Sequence, residues 1–174
     1  MSKARRAGWL FLTALFLFTG VGIGVWAFWV DTHPPKTDNS STTNKDSSTN
    51  KLEGTQLQNF TPVASVTSLQ KIDTTVGTGA EAKANSNVTV NYTGAVAATG
   101  IIFQSSLDNN GQPVSFGLNQ VIKGWSEGVP GMKVGGTRRL LIPASLAYGA
   151  TPPSGSGIPA NADLVFDITL LAVK

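Results

Sequence analysis

The stretch VIKGWSEGVPGMKVGG, residues 121–136, carries the one convincing helical pattern in the folded part of this chain. Val121, Trp125 and Val129 recur at i, i+4 and i+8, so in a helix they share one face. Around it the period changes to two. Alternating apolar and polar residues predict strands at 60–66, 69–73, 88–92, 114–116, 137–142 and 164–172, separated by clusters of Gly, Pro, Asn and Ser. One short helix against a mainly antiparallel sheet is an α+β design, in which the helix covers an apolar sheet face. In the last strand Leu164, Phe166, Ile168 and Leu170 point the same way, and the set holding Phe166 is expected to face the core or a pocket. Loops 107–112 and 151–161 are long for a compact domain and rich in Gly, Pro or Asn, which marks them as binding loops.

Upstream, residues 7–30 contain no charged side chain, and a helix rising 1.5 Å per residue over that length crosses the roughly 30 Å hydrocarbon core of a bilayer. The run reads as a transmembrane anchor. A cleaved signal peptide is the alternative, but its apolar run would be shorter and followed by a small-x-small site, whereas this one ends in Trp26, Phe28, Trp29 and Val30. Trp9 at one end and Trp26 and Trp29 at the other suit headgroup depth. Arg5 and Arg6 then favour a cytoplasmic N-terminus, a single pass through the cell membrane and an extracytoplasmic remainder. Gly20 and Gly24 offer a surface on which two such helices could pair. Residues 31–56 are rich in Ser, Thr, Asn and Lys and bury too little to offset their ordering entropy. The expected organisation is therefore a cytoplasmic tip and anchor at 1–30, a flexible linker with the start of the first strand at 31–66, and one folded domain at 67–174.

The net charge of +3 is that of Lys3, Arg5 and Arg6; residues 31–66 sum to −1 and residues 67–174 to +1. A nucleic-acid partner is not implied, because its phosphates require Lys and Arg gathered on the folded surface. Arg138 and Arg139 are adjacent, and read as part of a solvated strand. Asp163, Asp167 and Glu127 read as surface, turn and solvated helix groups. The chain has no cysteine, and its single histidine, His33, lies just beyond the apolar run. Ser-His-Asp and Cys-His chemistry are thereby excluded from the domain, and no metal site is expected. Neither GxxxxGK[ST] nor GxGxxG occurs, so no nucleotide cofactor is implied.

Five segments in register, VNYTGAV (90–96), GIIFQSS (100–106), VIKGWSEGVPGMKVGG (121–136), LIPASLAYGA (141–150) and ADLVFDITLL (162–171), resemble the FKBP family of peptidyl-prolyl cis/trans isomerases in order and spacing. The resemblance covers essentially all of residues 67–174. It implies a twisted antiparallel sheet half-wrapped around one short helix, with a shallow apolar pocket between them that receives a proline ring. Carried over position by position, Tyr92, Phe103, Trp125, Tyr148 and Phe166 correspond to the catalytic aromatic lining, with Trp125 as the floor. Val121 and Ile122 correspond to the apolar pair at the helix start, and Ile158 to an aliphatic residue of the loop after AYGA. The Ile122 N–H resembles the donor that meets a ligand carbonyl, and the Tyr148 hydroxyl corresponds to one that faces the bound peptide. Gln104 stands where well-studied members have Asp, Val114 stands at a usual Phe position, and the 151–161 loop has no histidine. Phe116 has no such counterpart and is assigned to core packing.

Rotation about an X-Pro bond breaks amide resonance across roughly 18–20 kcal/mol, and no bond to a side chain is required. The twisted carbonyl loses its polarised form, so water stabilises it less than it stabilises the planar ground state. A water-poor ring-lined pocket favours the twisted form relatively. Each ~1.4 kcal/mol of that preference is tenfold in rate. The resemblance thus implies an isomerase with proline-containing polypeptides as partners and macrolides as inhibitors, and the outward-facing anchor makes exported or surface proteins its expected substrates. Two other readings stand beside it: a membrane-tethered, non-catalytic proline-binding chaperone or receptor, and a purely structural domain on a stalk.

Overall fold

The computed structural model describes residues 51–174. The expected anchor, residues 7–30, and the tether up to residue 50 lie outside the described residues. Among the described residues no helix is long and apolar enough to cross a membrane.

The elements run β1 (Gln70–Thr75), β2 (Asn87–Val96), β3 (Ile102–Ser105), β4 (Val114–Gly117), α1 (Lys123–Gly128), β5 (Thr137–Ile142) and β6 (Leu164–Val173), with 3-10 turns at Ser106–Asp108 and Ala144–Leu146. The strands form one sheet in the order β1-β5-β6-β2-β3, and β4 also pairs with β2. All pairings are antiparallel. β4 lies along Asn87–Val90 and β3 along Thr93–Ala95, so two short strands share one edge of β2 in tandem.

Alternation sorts the long strands. Leu164, Phe166, Ile168 and Leu170 of β6, Leu140 and Ile142 of β5, and Val88 and Val90 of β2 enter one buried core with Trp125, Val129 and Met132. Val165, Leu141 and Ala95 point to the other face. The helix reaches the first face closely because Gly124 and Gly128, one turn apart, present bare backbone to Ile142 and Leu140. A Cβ on Gly128 would lie 2.6 Å from Leu140 Cδ1. Val121 precedes the helix instead of opening it, yet packs on the same core as Trp125 and Val129.

Three expectations are corrected. Residues 60–66 form no strand. Phe60, Val63 and Val66 all meet the second face, and a spacing of three cannot match a pleat of period two. Pro62 also lacks a ladder donor. Residues 51–66 instead make an irregular strap across that face, with Leu57 and Val66 buried over Ala95, Ile102, Leu141 and Val165. Single bonds hold it: Leu57 N–H to Gly100 O at 2.9 Å, Val63 N–H to Ala97 O at 3.0 Å and Val66 N–H to Asp163 Oδ2 at 2.7 Å. So the part of the expected linker from residue 51 onward packs on the sheet. Strand β3 is an addition to the sequence reading. Finally, Arg138 is buried, donating to both Asp73 oxygens at 2.6 and 3.0 Å and to the carbonyls of Gly128 and Pro130 at 2.8 and 3.2 Å. Arg139, half-buried, donates to Asp167 at 2.7 Å and to the Asn59 carbonyl at 2.6 Å, with Phe60 stacked 5.3 Å away. One arginine ties the helix end to β1; the other ties the strap to β6. Asp163 and Asp167 are fastening groups.

Candidate active site

Rings from four strands and the helix meet on the helix side of the sheet. Trp125 from α1 lies 5.5 Å from Tyr92 of β2, 5.3 Å from Phe166 of β6 and 5.2 Å from Phe116 of β4, measured between centroids. Phe103 of β3 lies 5.8 Å from Phe166 at an interplanar angle of 86°. Edges meet faces in these four pairs, the arrangement that ring quadrupoles favour, while Tyr92 and Phe166 are tilted at 52°. Trp125 and Phe166 are each only 4% exposed, while Tyr92, Phe103 and Tyr148 are half-buried against the same core. The first two make a floor and the other three a rim. Gly94 allows the floor: a Cβ there would stand 2.7 Å from both Phe103 Cζ and Phe166 Cε1.

Tyr148 comes from the chain after the Ala144–Leu146 turn, whose first N–H donates to Asp163 Oδ1 at 2.8 Å. Val121, Ile122 and Ile158 also pack half-buried on the core. Ile122 caps the helix through its carbonyl, which accepts from Trp125 N–H at 2.9 Å and Ser126 N–H at 3.2 Å. Its own N–H donates to no group among the described residues, as the first N–H groups at a helix start lack an intrahelical acceptor. Gln104 and Val114 do not join the cluster. Gln104 is exposed opposite Gly94, and Val114 is 37% exposed opposite Val90.

Burial pushes the Tyr92 hydroxyl up to about 12, with Tyr148 nearby adding to it. Burial likewise raises Tyr148. Both phenols are neutral hydrogen-bonding groups at any ordinary pH.

Sequence reasoning missed three contributors. Phe116, assigned to the core, is half-buried and stacks on Trp125; its place two residues after Val114 on one strand was the available signal. Ser105 and Ser106 are buried hydroxyls that hold Tyr92 by its backbone. Ser106 Oγ accepts from Tyr92 N–H at 3.0 Å, and Ser105 Oγ donates to Tyr92 O at 3.2 Å. Two adjacent hydroxyls closing a strand before a loop are the trace they leave in the sequence.

A cluster of five rings on one buried core beside a backbone N–H left unpaired among the described residues marks the class of domain: an antiparallel sheet closed on one short helix by aromatic side chains. Comparison with known proteins gives the class its family. Residues 78–171, more than half of the chain, match the model of the FKBP-type peptidyl-prolyl cis-trans isomerases. The chain belongs to this family, and those residues form its isomerase domain. It is 51% identical over 100 residues to the FKBP-type peptidyl-prolyl cis-trans isomerase FkpA of Aeromonas hydrophila, covering 57% of this chain and 35% of that protein. Against the probable FK506-binding protein of Corynebacterium glutamicum it is 50% identical over 101 residues, 58% of this chain and 82% of the relative. The crystal structure of FkpA from Escherichia coli superposes with a TM-score of 0.55 at 39% identity, over 68% of this chain and 53% of that one. The chain thus spans about a third of the Aeromonas protein's length.

Proposed function

We propose that this chain catalyses cis/trans exchange at X-Pro bonds of exported or surface polypeptides, holding the proline over Trp125 and Phe166 inside the rim of Tyr92, Phe103 and Tyr148. The observation that carries this reading is the convergence of those five side chains on one core beside an unspent N–H at Ile122. Enclosure by rings keeps water from the imide and so favours the twisted carbonyl over the planar one. Ile122 N–H and the Tyr148 hydroxyl supply hydrogen bonds to carbonyls of the turning chain. Macrolides such as FK506, after which several relatives are named, compete for the same floor. The domain works outside the cytoplasm, carried by the apolar segment at 7–30. Exchange kinetics of a proline tetrapeptide, followed by NMR with the full chain, test the activity: acceleration that FK506 suppresses is the expected result, and an unchanged exchange rate overturns the proposal.

The exposed apolar Leu107 and Val114, on the loop and strand beside the rings, favour a second reading, a tethered chaperone that grips unfolded chain without turnover. Quenching of Trp125 fluorescence by proline peptides with no rate enhancement would select it.

A further inference from the structure

A cavity of about 270 Å³ has Phe103 of the ring cluster in its lining. Three parts of the chain line it: Glu53 and Gly54 of the strap, Ile101 and Ile102 where the β2–β3 connection enters β3, and the 151–161 loop with Gly157 and Pro159. The loop rests on Phe103 itself, since a Cβ on Gly157 would lie 3.8 Å from the Phe103 Cβ. Ile101 is 37% exposed there, an isoleucine left at the surface where it bridges Gln56 of the strap. The one ionisable group of the lining, Glu53, is paired with Lys51 at 2.7 Å. The lining therefore suits an apolar occupant. The volume falls below the roughly 300–1,000 Å³ of sites for drug-sized ligands, and fits a side chain better than a cofactor.

We propose that this cavity receives an apolar side chain two residues from the substrate proline and so gives the enzyme a sequence preference beyond the proline itself. The inference rests on the isomerase reading above. In an extended chain, residues i and i+2 point the same way and lie about 7 Å apart. Phe103 lines this cavity and its centroid is 5.8 Å from that of Phe166, so one ring links the cavity to the proposed seat of the proline. Sharing that ring with the proposed seat of the proline makes the bound polypeptide the occupant. The strap thus acts as one wall of a specificity site as well as the cover of the sheet.

The test uses the full chain and alanine peptides with one central proline, in which leucine replaces each of the two alanines on either side in turn. Leucine two residues from the proline, on one side, is expected to raise kcat/KM roughly tenfold, as apolar side chains do in a fitting pocket. Ser156→Trp, which fills the cavity from the loop, and Ile101→Asp, which makes its wall polar, are each expected to remove that gain. Equal rates for all leucine positions, or a gain that survives both substitutions, overturn the subsite while leaving the isomerase reading intact. Failure of the unsubstituted chain to accelerate the all-alanine peptide overturns the isomerase reading, and this one with it.

Discussion

Phe166 belongs at once to the floor of the site and to the core, because β6 sits between β2 and β5 and its Phe meets the rings of Tyr92 on β2, Phe103 on β3 and Trp125 on α1. Phe166→Ala is therefore expected to abolish catalysis and to cost about 3–5 kcal/mol of stability, read from urea unfolding. Unchanged unfolding would show the ring to be wall alone. Gly94→Ala separates the two roles: the added methyl pushes Phe103 and Phe166 apart, so activity should fall by more than stability does. The tyrosines set the pH behaviour. Because Tyr92 titrates near 12 when folded and near 10 when unfolded, the folded state holds its proton more tightly between those values. Stability from this group is complete below about pH 10 and is lost as pH rises toward 12. Below that window nothing in the rings titrates, so kcat/KM is expected to stay flat from roughly pH 5 to 9. A bell-shaped profile centred on neutrality would mean that an ionising group outside the ring cluster takes part.

At the scale of elements, the strap decides how the second sheet face is covered, and Asp163 fastens it. One oxygen accepts Val66 N–H at the strap's end and the other accepts Ala144 N–H at the turn leading to Tyr148. Asp163→Ala strands both donors and is expected to cost about 2 kcal/mol, with Asp163→Asn, which keeps one acceptor, lying between. Limited proteolysis should then cut within 58–66 in the alanine variant first; equal resistance in both would show that the buried Leu57 and Val66 alone hold the strap. This element was the least legible in the sequence. The apolar spacing of three in Phe60, Val63 and Val66 passes for a strand when one looks for alternation, and a chain rich in Ser, Thr and Asn passes for tether until its few apolar residues find a face. Strand β3 hid for another reason: it is four residues long and its pairing with β2 breaks register beside Gly94. β5 and β6 were legible because both faces of each are packed, one by the helix core and one by the strap. The ring cluster was legible through the motifs that carry it, whereas the burial of Arg138 was not, since its partner Asp73 lies on a different strand 65 residues away.

At the scale of the whole chain, the strap is fastened at both ends, Leu52 and Glu53 N–H to Asp108 at 2.6 and 3.0 Å and Val66 N–H to Asp163, so residues 51–174 form one unit and a tether can begin only before residue 51. The proposed anchor at 7–30 can be tested cleanly because the chain has no cysteine, which makes any introduced thiol unique. Ser2→Cys and Ser41→Cys place one thiol on each side of the apolar run. With the N-terminus in the cytoplasm, a membrane-impermeant maleimide should label Ser41→Cys in intact cells and Ser2→Cys only after lysis, and the full chain should resist alkaline extraction from membranes. The reverse labelling would invert the topology that Arg5 and Arg6 favour. A soluble product shortened by the mass of residues 1–30 would mean that the run is removed, and the isomerase would then act in solution on whatever proline-containing chain it meets.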